Sequence, residues 1–246
     1  MMKSSIRLTT LSLLTAGFAN AALYNFDLAR NRGGVVFNAS TDDSNLVWNT
    51  AAPGGTSSMT WNVVSTGQGN LSNATVSLAN LVSSTNGASA IGLSIGAVDT
   101  DGYSDQSPRD GIWTSYMTTS QTNGSGPAIT LSGFAPGETV NLVLYTGNAR
   151  WGGNNTGAFT FGGTTTTYAE AIANNTMPLT EGATFVRFNN LVPDGNGNII
   201  GTFGALASGQ EGLATLAGLQ FEVIPEPASA LLAAFGLVAM FRRRRS

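Results

Sequence analysis

Two short stretches decide the fold: Asn141-Leu142-Val143-Leu144-Tyr145 and Thr184-Phe185-Val186-Arg187-Phe188. In each stretch, every second position belongs to one face of a strand, and at least one of the two faces is apolar. Successive side chains of a β-strand point to opposite faces of the sheet, so this alternation lets each stretch bury one face. The pattern predicts two strands that each turn one apolar face toward a core.

Similar runs recur along the chain from Ala22, rich in Val, Ile, Thr and aromatic residues. Turn sequences such as Pro136-Gly137 and Asp194-Gly195-Asn196-Gly197 separate them. Asn80–Ser89 is predicted to be a helix or a long loop. The strands are predicted at Val35–Ala39, Leu46–Asn49, Met59–Ser65, Thr75–Ala79, Ile91–Ile95, Ile112–Met117, Ala128–Leu131, Thr139–Tyr145, Ala158–Phe161, Thr164–Tyr168, Thr184–Phe188, Asn198–Phe203 and Leu216–Val223.

This density of short strands predicts an all-β fold. We expect a single two-sheet β-sandwich of jelly-roll type over residues 22–224. In the last predicted strand, Leu219, Phe221 and Val223 would face inward at an edge of the sandwich. Pro225 would then end the sheet pairing, because proline has no amide hydrogen to donate.

The composition excludes several kinds of chemistry. The chain has no cysteine and no histidine. Disulfides, Ser-His-Asp and Cys-His catalysis and histidine-ligated zinc are therefore excluded. A glycosidase would need two facing carboxylates. The glutamates fall at predicted turns or strand ends, with no predicted pairing, at Glu138, Glu170, Glu181 and Glu211. We expect a non-catalytic protein.

The charge of the body is acidic. Between Ala22 and Ile224 there are five arginines, thirteen acidic residues and no lysine, a net charge of −8. Nucleic-acid binding needs a basic surface, so no nucleic-acid partner is expected.

The N-terminus has the organisation of a signal peptide. Lys3 and Arg7 precede an apolar run, Leu8–Phe18, and Ala19-Asn20-Ala21 supplies small residues for cleavage. We expect signal peptidase to remove residues 1–21, so that the mature chain begins at Ala22.

The C-terminus has three parts. Pro225, Glu226 and Pro227 form a stiff, extended segment, because proline fixes φ. Ala228–Phe241 is uncharged, and its residues would span about 21 Å as a helix, less than the roughly 30 Å of a membrane core. Its length also fits a buried or interfacial helix. The basic block directly after it favours a membrane helix anchored on the cytoplasmic side, and consists of Arg242, Arg243, Arg244 and Arg245.

This tail, residues 225–246, closely resembles the PEP-CTERM sorting signal of bacteria. The resemblance implies an exosortase, a membrane transpeptidase-like enzyme that cuts near Pro-Glu-Pro, as a partner. It also implies attachment to the inner membrane before cutting and a cell-surface or extracellular location afterwards, often alongside extracellular polysaccharide.

The second half of the body resembles galactose-binding-like or lectin-like jelly rolls. The resemblance follows the order of short motifs between Asp110 and Val223, and it implies a fold rather than a sugar site. The motifs are Asp110-Gly111-Ile112-Trp113, Ile129–Gly137, Leu142–Tyr145, Gly157–Gly163, Asp194–Ile200 and Leu216–Phe221.

An acidic segment is a candidate calcium site. Asp99, Asp101 and Asp105 stand at positions 1, 3 and 7 of a predicted loop. Ca²⁺ prefers such oxygen ligands. The spacing is not that of an EF-hand, because Gly102 is fourth rather than sixth. The other interpretation is an ordinary acidic turn. No other cofactor is expected.

A second segment is a candidate sugar subsite. Arg150, Trp151 and Asn154 combine a fork-shaped donor, an indole face and a side-chain amide. The other interpretation is a core tryptophan followed by a tight turn.

Three functions remain open from the sequence. The leading hypothesis is an exported, non-catalytic surface or matrix protein. The second is a carbohydrate-binding module, and the third a glycan-active enzyme.

Overall fold

In a computed structural model of the chain, the described residues are 21–29, 36–38, 60–65, 71–85, 87–102, 115–119, 126–146, 156–169, 180–206 and 214–226. This part of the chain is all-β and contains no helix. Its strands are β1 (Ala22–Ala29), β2 (Val36–Asn38), β3 (Thr60–Ser65), β4 (Leu71–Leu78), β5 (Gly92–Gly102), β6 (Ser115–Thr119), β7 (Ala128–Ser132), β8 (Thr139–Tyr145), β9 (Thr156–Phe161), β10 (Thr164–Ala169), β11 (Phe185–Leu191), β12 (Asn198–Ala205), β13 (Ala214–Leu216) and β14 (Gly218–Ile224).

The strands form two sheets, which we call sheet A and sheet B. Sheet A has the order β11-β8-β14-β1-β3-β2, and its pairs are antiparallel except for β1 with β3. Sheet B has the order β10-β9-β12-β7-β5-β6-β13, with β4 also pairing with β5. Two sheets around one core confirm the predicted sandwich. The jelly-roll assignment stays a prediction, and the predicted signal peptide and C-terminal helix lie outside the described residues.

Alternating side chains of the two sheets make the core. In sheet A, Leu142 and Leu144 of β8 face the core together with Leu219 and Phe221 of β14. Sheet B contributes a second set of buried residues: Leu93, Ile95, Ile129, Leu131, Phe159, Phe161 and Phe203. The predicted periodicity of two therefore describes the inner faces correctly.

Aromatic contacts tie the sheets together. Phe221 stacks on Tyr24 of β1 with ring centroids 4.9 Å apart, and meets the edge of Phe134 at 6.3 Å. Phe161 of sheet B lies 5.2 Å from Phe188 of sheet A. Phe221 thus joins its neighbouring strand to the chain that follows β7.

The last predicted strand is wrong in two respects. Leu216–Val223 is not one strand, because the chain passes from sheet B to sheet A at Ala217, between β13 and β14. Strand β14 is also not at an edge, since β8 pairs with one side and β1 with the other. Leu219, Phe221 and Val223 are buried as predicted.

Two further segments compare differently with the predictions: β1 was missed, whereas the loop alternative for Asn80–Ser89 agrees with the described residues. The segment over residues 79–91 holds no helix among its described residues. It is a loop fixed by Asn62, whose carboxamide pairs with both the amide and the carbonyl of Val82, each at 2.8 Å. The side chain of Asn62 also donates to the carbonyl of Asn25 at 2.9 Å, so it links this loop to β1. The predicted strand Leu46–Asn49 lies outside the described residues.

The outer face of sheet A carries a buried polar chain. Tyr145 donates a hydrogen bond to Gln220, which donates to Asn25 at 2.7 Å, and all three side chains are fully buried. Each polar group meets a partner, which offsets the cost of removing it from water. Strands β8, β14 and β1 are therefore joined on both faces.

Replacing Phe221 by alanine tests this arrangement. Phe221→Ala removes the ring that packs between Tyr24 and Phe134, and we expect a loss of about 3–5 kcal/mol in the free energy of unfolding. Ile200→Ala is the control. Its side chain is exposed, so its effect should stay within about 0.5 kcal/mol. Urea unfolding followed by circular dichroism measures both, and equal midpoints would contradict the central position of β14.

Candidate functional site

A candidate surface feature lies where the described chain leaves the sandwich. Strand β14 ends at Ile224, and Pro225 and Glu226 follow. Ile224 pairs with Thr139, the first residue of β8, so the turn before β8 lies beside this exit. Ala21–Glu226 forms one compact unit.

A groove opens next to this point, and we call it the exit groove. Its walls are Phe134–Glu138, between β7 and β8, and Val192–Gly197, between β11 and β12, around a cavity of about 330 Å³. The walls are joined by a hydrogen bond from the amide of Phe134 to the carbonyl of Gly197, at 3.2 Å. Val192 is an apolar residue with 74% of its surface exposed to solvent.

Local hydrogen bonds fix each wall. A carboxylate oxygen of Glu138 accepts from the amide of Ala135 at 2.7 Å, which closes the first turn. In the second, Oδ1 of Asp194 accepts from the amides of Asn196 and Asn198, each at 2.9 Å. Asp194 favours such a turn because its short side chain reaches the backbone amides that follow it. The groove is therefore built from rigid turns rather than from long loops.

Gly137 connects the groove to the exit of the chain. Its φ is +84°, a conformation that favours glycine. A methyl group added at its Cα would lie 2.5 Å from a carboxylate oxygen of Glu226. The Glu226 side chain therefore lies against this turn, and a side chain at position 137 would make its carboxylate end shift.

The charge at this end of the molecule is acidic. Glu138, Asp194 and Glu226 lie in or beside the groove, and Glu222 accepts a hydrogen bond from Asn141 at 3.2 Å. The stretches 133–138, 192–197 and 218–226 contain no lysine or arginine. The site combines exposed apolar residues with an excess of negative charge.

A second surface lies on the outer face of sheet A. The guanidinium of Arg187 lies 5.9 Å from the centre of the Phe185 ring, a cation–π distance. Among the described residues, Nε of Arg187 has no hydrogen-bond partner although the atom itself is buried.

The structure places few of the residues that the sequence singled out. Asp99 and Asp101 do not lie in a loop as expected, since β5 continues to Gly102 and pairs them with Thr118 and Tyr116 of β6. Asp105 lies outside the described residues. Within the described part of the chain, no group of three acidic side chains is placed to hold a metal ion. The calcium site stays a prediction.

The other predicted sites divide in the same way. Pro225 and Glu226 lie at the exit groove, whereas the rest of the tail motif, Pro227 and Arg242–Arg245, lies outside the described residues. Arg150, Trp151 and Asn154 lie outside them too. No helix in the described ranges is long and apolar enough to cross a membrane.

Sequence reasoning missed both surfaces. Pro136-Gly137 and Asp194–Gly197 were predicted as turns, but their meeting depends on strand pairing across the sheets. Arg187 was treated as one residue of an alternating strand. Its partner Phe185, two positions away on the same face, was the available signal.

No family model matches the chain, and no curated protein matches it. Among solved structures, the plant receptor-like kinase FER aligns at TM-score 0.39 and 13% identity, over 82% of this chain and 42% of that one. This chain therefore spans about two fifths of the length of that structure.

Two further structures align over about half of this chain. A CBM35 from Cellvibrio japonicus Abf62 gives TM-score 0.29 and 20% identity, over 52% of this chain and 88% of that one. The enzymatically active domain of tailspike protein 4 from bacteriophage CBA120 gives TM-score 0.26 and 17% identity, over 53% of this chain and 19% of that one. All three TM-scores are below 0.5, so none assigns a function to this chain.

Substituting Gly137 tests the contact with Glu226. Gly137→Ala imposes a left-handed conformation on a residue with a side chain, at a cost of roughly 1–2 kcal/mol, and also displaces Glu226. Gly163→Ala is the matched control, because φ there is +77° and nothing lies within 4 Å of the added methyl group. Thermal unfolding should show the larger loss for Gly137→Ala.

The double variant Gly137→Ala, Glu226→Ala separates the two effects. Without the carboxylate, the cost at position 137 should fall to that at position 163. A cost at position 137 that is unchanged by Glu226→Ala would show that the side chain does not rest on the turn.

Proposed function

We propose that the protein is an exported, non-catalytic cell-surface or matrix protein, whose β-sandwich is carried outward and then released from a C-terminal membrane anchor. Signal peptidase and an exosortase-like membrane transpeptidase are its processing partners. It is held at the inner membrane before processing and stands at the surface, near extracellular polysaccharide, afterwards.

One observation carries this proposal: both expected cleavage points lie just outside paired strands. Ala22 begins β1 and pairs with Val223 of β14, and β14 ends at Ile224. A cut before Ala22 and a cut near Pro225 would each leave the described strands whole. This placement supports trimming at both ends, because neither cut would divide a described strand.

The acidic side chains support a structural rather than a catalytic role. Glu138, Asp194 and Glu222 each accept a hydrogen bond from an amide within the body. Carboxylates used in this way stabilise turns and strand ends. Hydrolysis of a glycosidic bond would need two of them facing a substrate.

Mass spectrometry of protein extracted from the cell surface tests the processing. The mature form should lack Phe235–Ser246, because the cut falls near Pro225–Pro227. The control carries Pro225→Ala, Glu226→Ala and Pro227→Ala, and should keep the tail. Intact Arg242–Arg245 on most wild-type surface copies would refute the proposal.

Carbohydrate binding is the second candidate function, and Arg187 is the observation that favours it. The half-buried Arg187 guanidinium, with one donor unsatisfied among the described residues, offers a fork for hydroxyl or carboxylate oxygens. The segment with Arg150, Trp151 and Asn154 remains the alternative location.

A glycan array on the purified body, residues 22–224, distinguishes the locations. If the outer face of sheet A binds, Arg187→Ala should abolish a signal that Trp151→Ala retains. The reverse pattern would place binding in the segment 150–154. Absence of any glycan signal from the folded wild-type body would exclude the binding function.

A further inference from the structure

We propose that the exit groove is the surface by which the processing enzyme holds the folded body while it cuts the tail. This inference rests on the proposed function and concerns its processing step. The tail would then be recognised together with part of the sandwich, and not as a detached peptide.

The position of the groove is the first reason. The described residues end at Glu226, two residues after the last strand, and Glu226 touches Gly137 in the groove wall. Three extended residues span at most about 11 Å. An enzyme that reaches a peptide bond near Pro225–Pro227 must therefore come within contact distance of the groove.

The rigidity of the groove is the second reason. Both walls are turns closed by their own hydrogen bonds, and Phe134 packs against Phe221 in the centre of sheet A. A surface fixed in this way loses little conformational entropy when a partner binds. Pro225 further stiffens the chain that leads out of it.

The chemistry of the groove defines the partner. Val192 is exposed at 74%, and the neighbouring Ala135 and Pro136 are exposed as well. Glu138, Asp194 and Glu226 surround these residues, without a cation in the same stretches. The matching surface on the enzyme presents apolar side chains flanked by lysine or arginine.

The full chain, expressed in cells that process the tail, supplies the test. Val192→Asp places a charge on the exposed apolar part of the groove wall. It should slow tail removal about tenfold in a pulse-chase measurement, equivalent to about 1.4 kcal/mol. The substitution should leave the fold intact, since Val192 contacts solvent, and melting of the purified body verifies this.

Leu206→Asp is the matched control. Leu206 is also an exposed apolar residue, at 48%, and follows the opposite end of β12 from the groove. The tail of the Leu206→Asp variant should be removed at the wild-type rate. Glu138→Gln keeps an acceptor for the amide of Ala135 but removes the charge, so it should slow processing too.

The outcomes separate this inference from the function on which it rests. If the wild type loses its tail and Val192→Asp loses it equally fast, the groove is not the docking surface, while the proposed function stands. A wild type that keeps its tail would refute both. If wild-type dimers become monomers in Val192→Asp at an unchanged processing rate, the groove binds a second copy and the inference is wrong.

Discussion

The structure depends on the central position of β14 in sheet A. This strand pairs with β8 on one side and β1 on the other, and Phe221 carries its contacts to Tyr24 and Phe134. On its opposite face, Gln220 bridges Tyr145 and Asn25. The last described strand, β14, thereby holds the first strand, β1, in place. The exit groove lies at the end of β14.

The inner faces of the sandwich were predictable because alternation is a local property. Strand β8 begins and ends where the sequence predicts, at Thr139 and Tyr145. The outer face of sheet A was not predictable. A glutamine between apolar neighbours normally indicates solvent, but Gln220 is buried because a tyrosine and an asparagine from other strands satisfy it. That pairing links residues up to 195 positions apart.

The same limit applies to the candidate site. Its parts carried local signals: Pro136-Gly137 and Asp194–Gly197 as turns, and Pro225-Glu226 as an extended segment. Their meeting is set by strand register, which pairs Ile224 with Thr139 and brings Glu226 onto Gly137. The acidic stretch at Asp99 shows the converse. Its residues predicted a loop, but they pair with β6 and belong to strand β5.

The pairing of β1 with β14 also sets the order in which the protein can fold. Along Ala22–Asp27, one edge of β1 is covered by β14, the last of the described strands. Closing so long a loop is slow, because the entropy of the intervening chain is lost before the contacts form. A polypeptide crossing a membrane N-terminus first cannot complete this sheet until β14 has emerged. Under the export that we propose, the body would therefore cross the membrane unfolded and complete sheet A only afterwards.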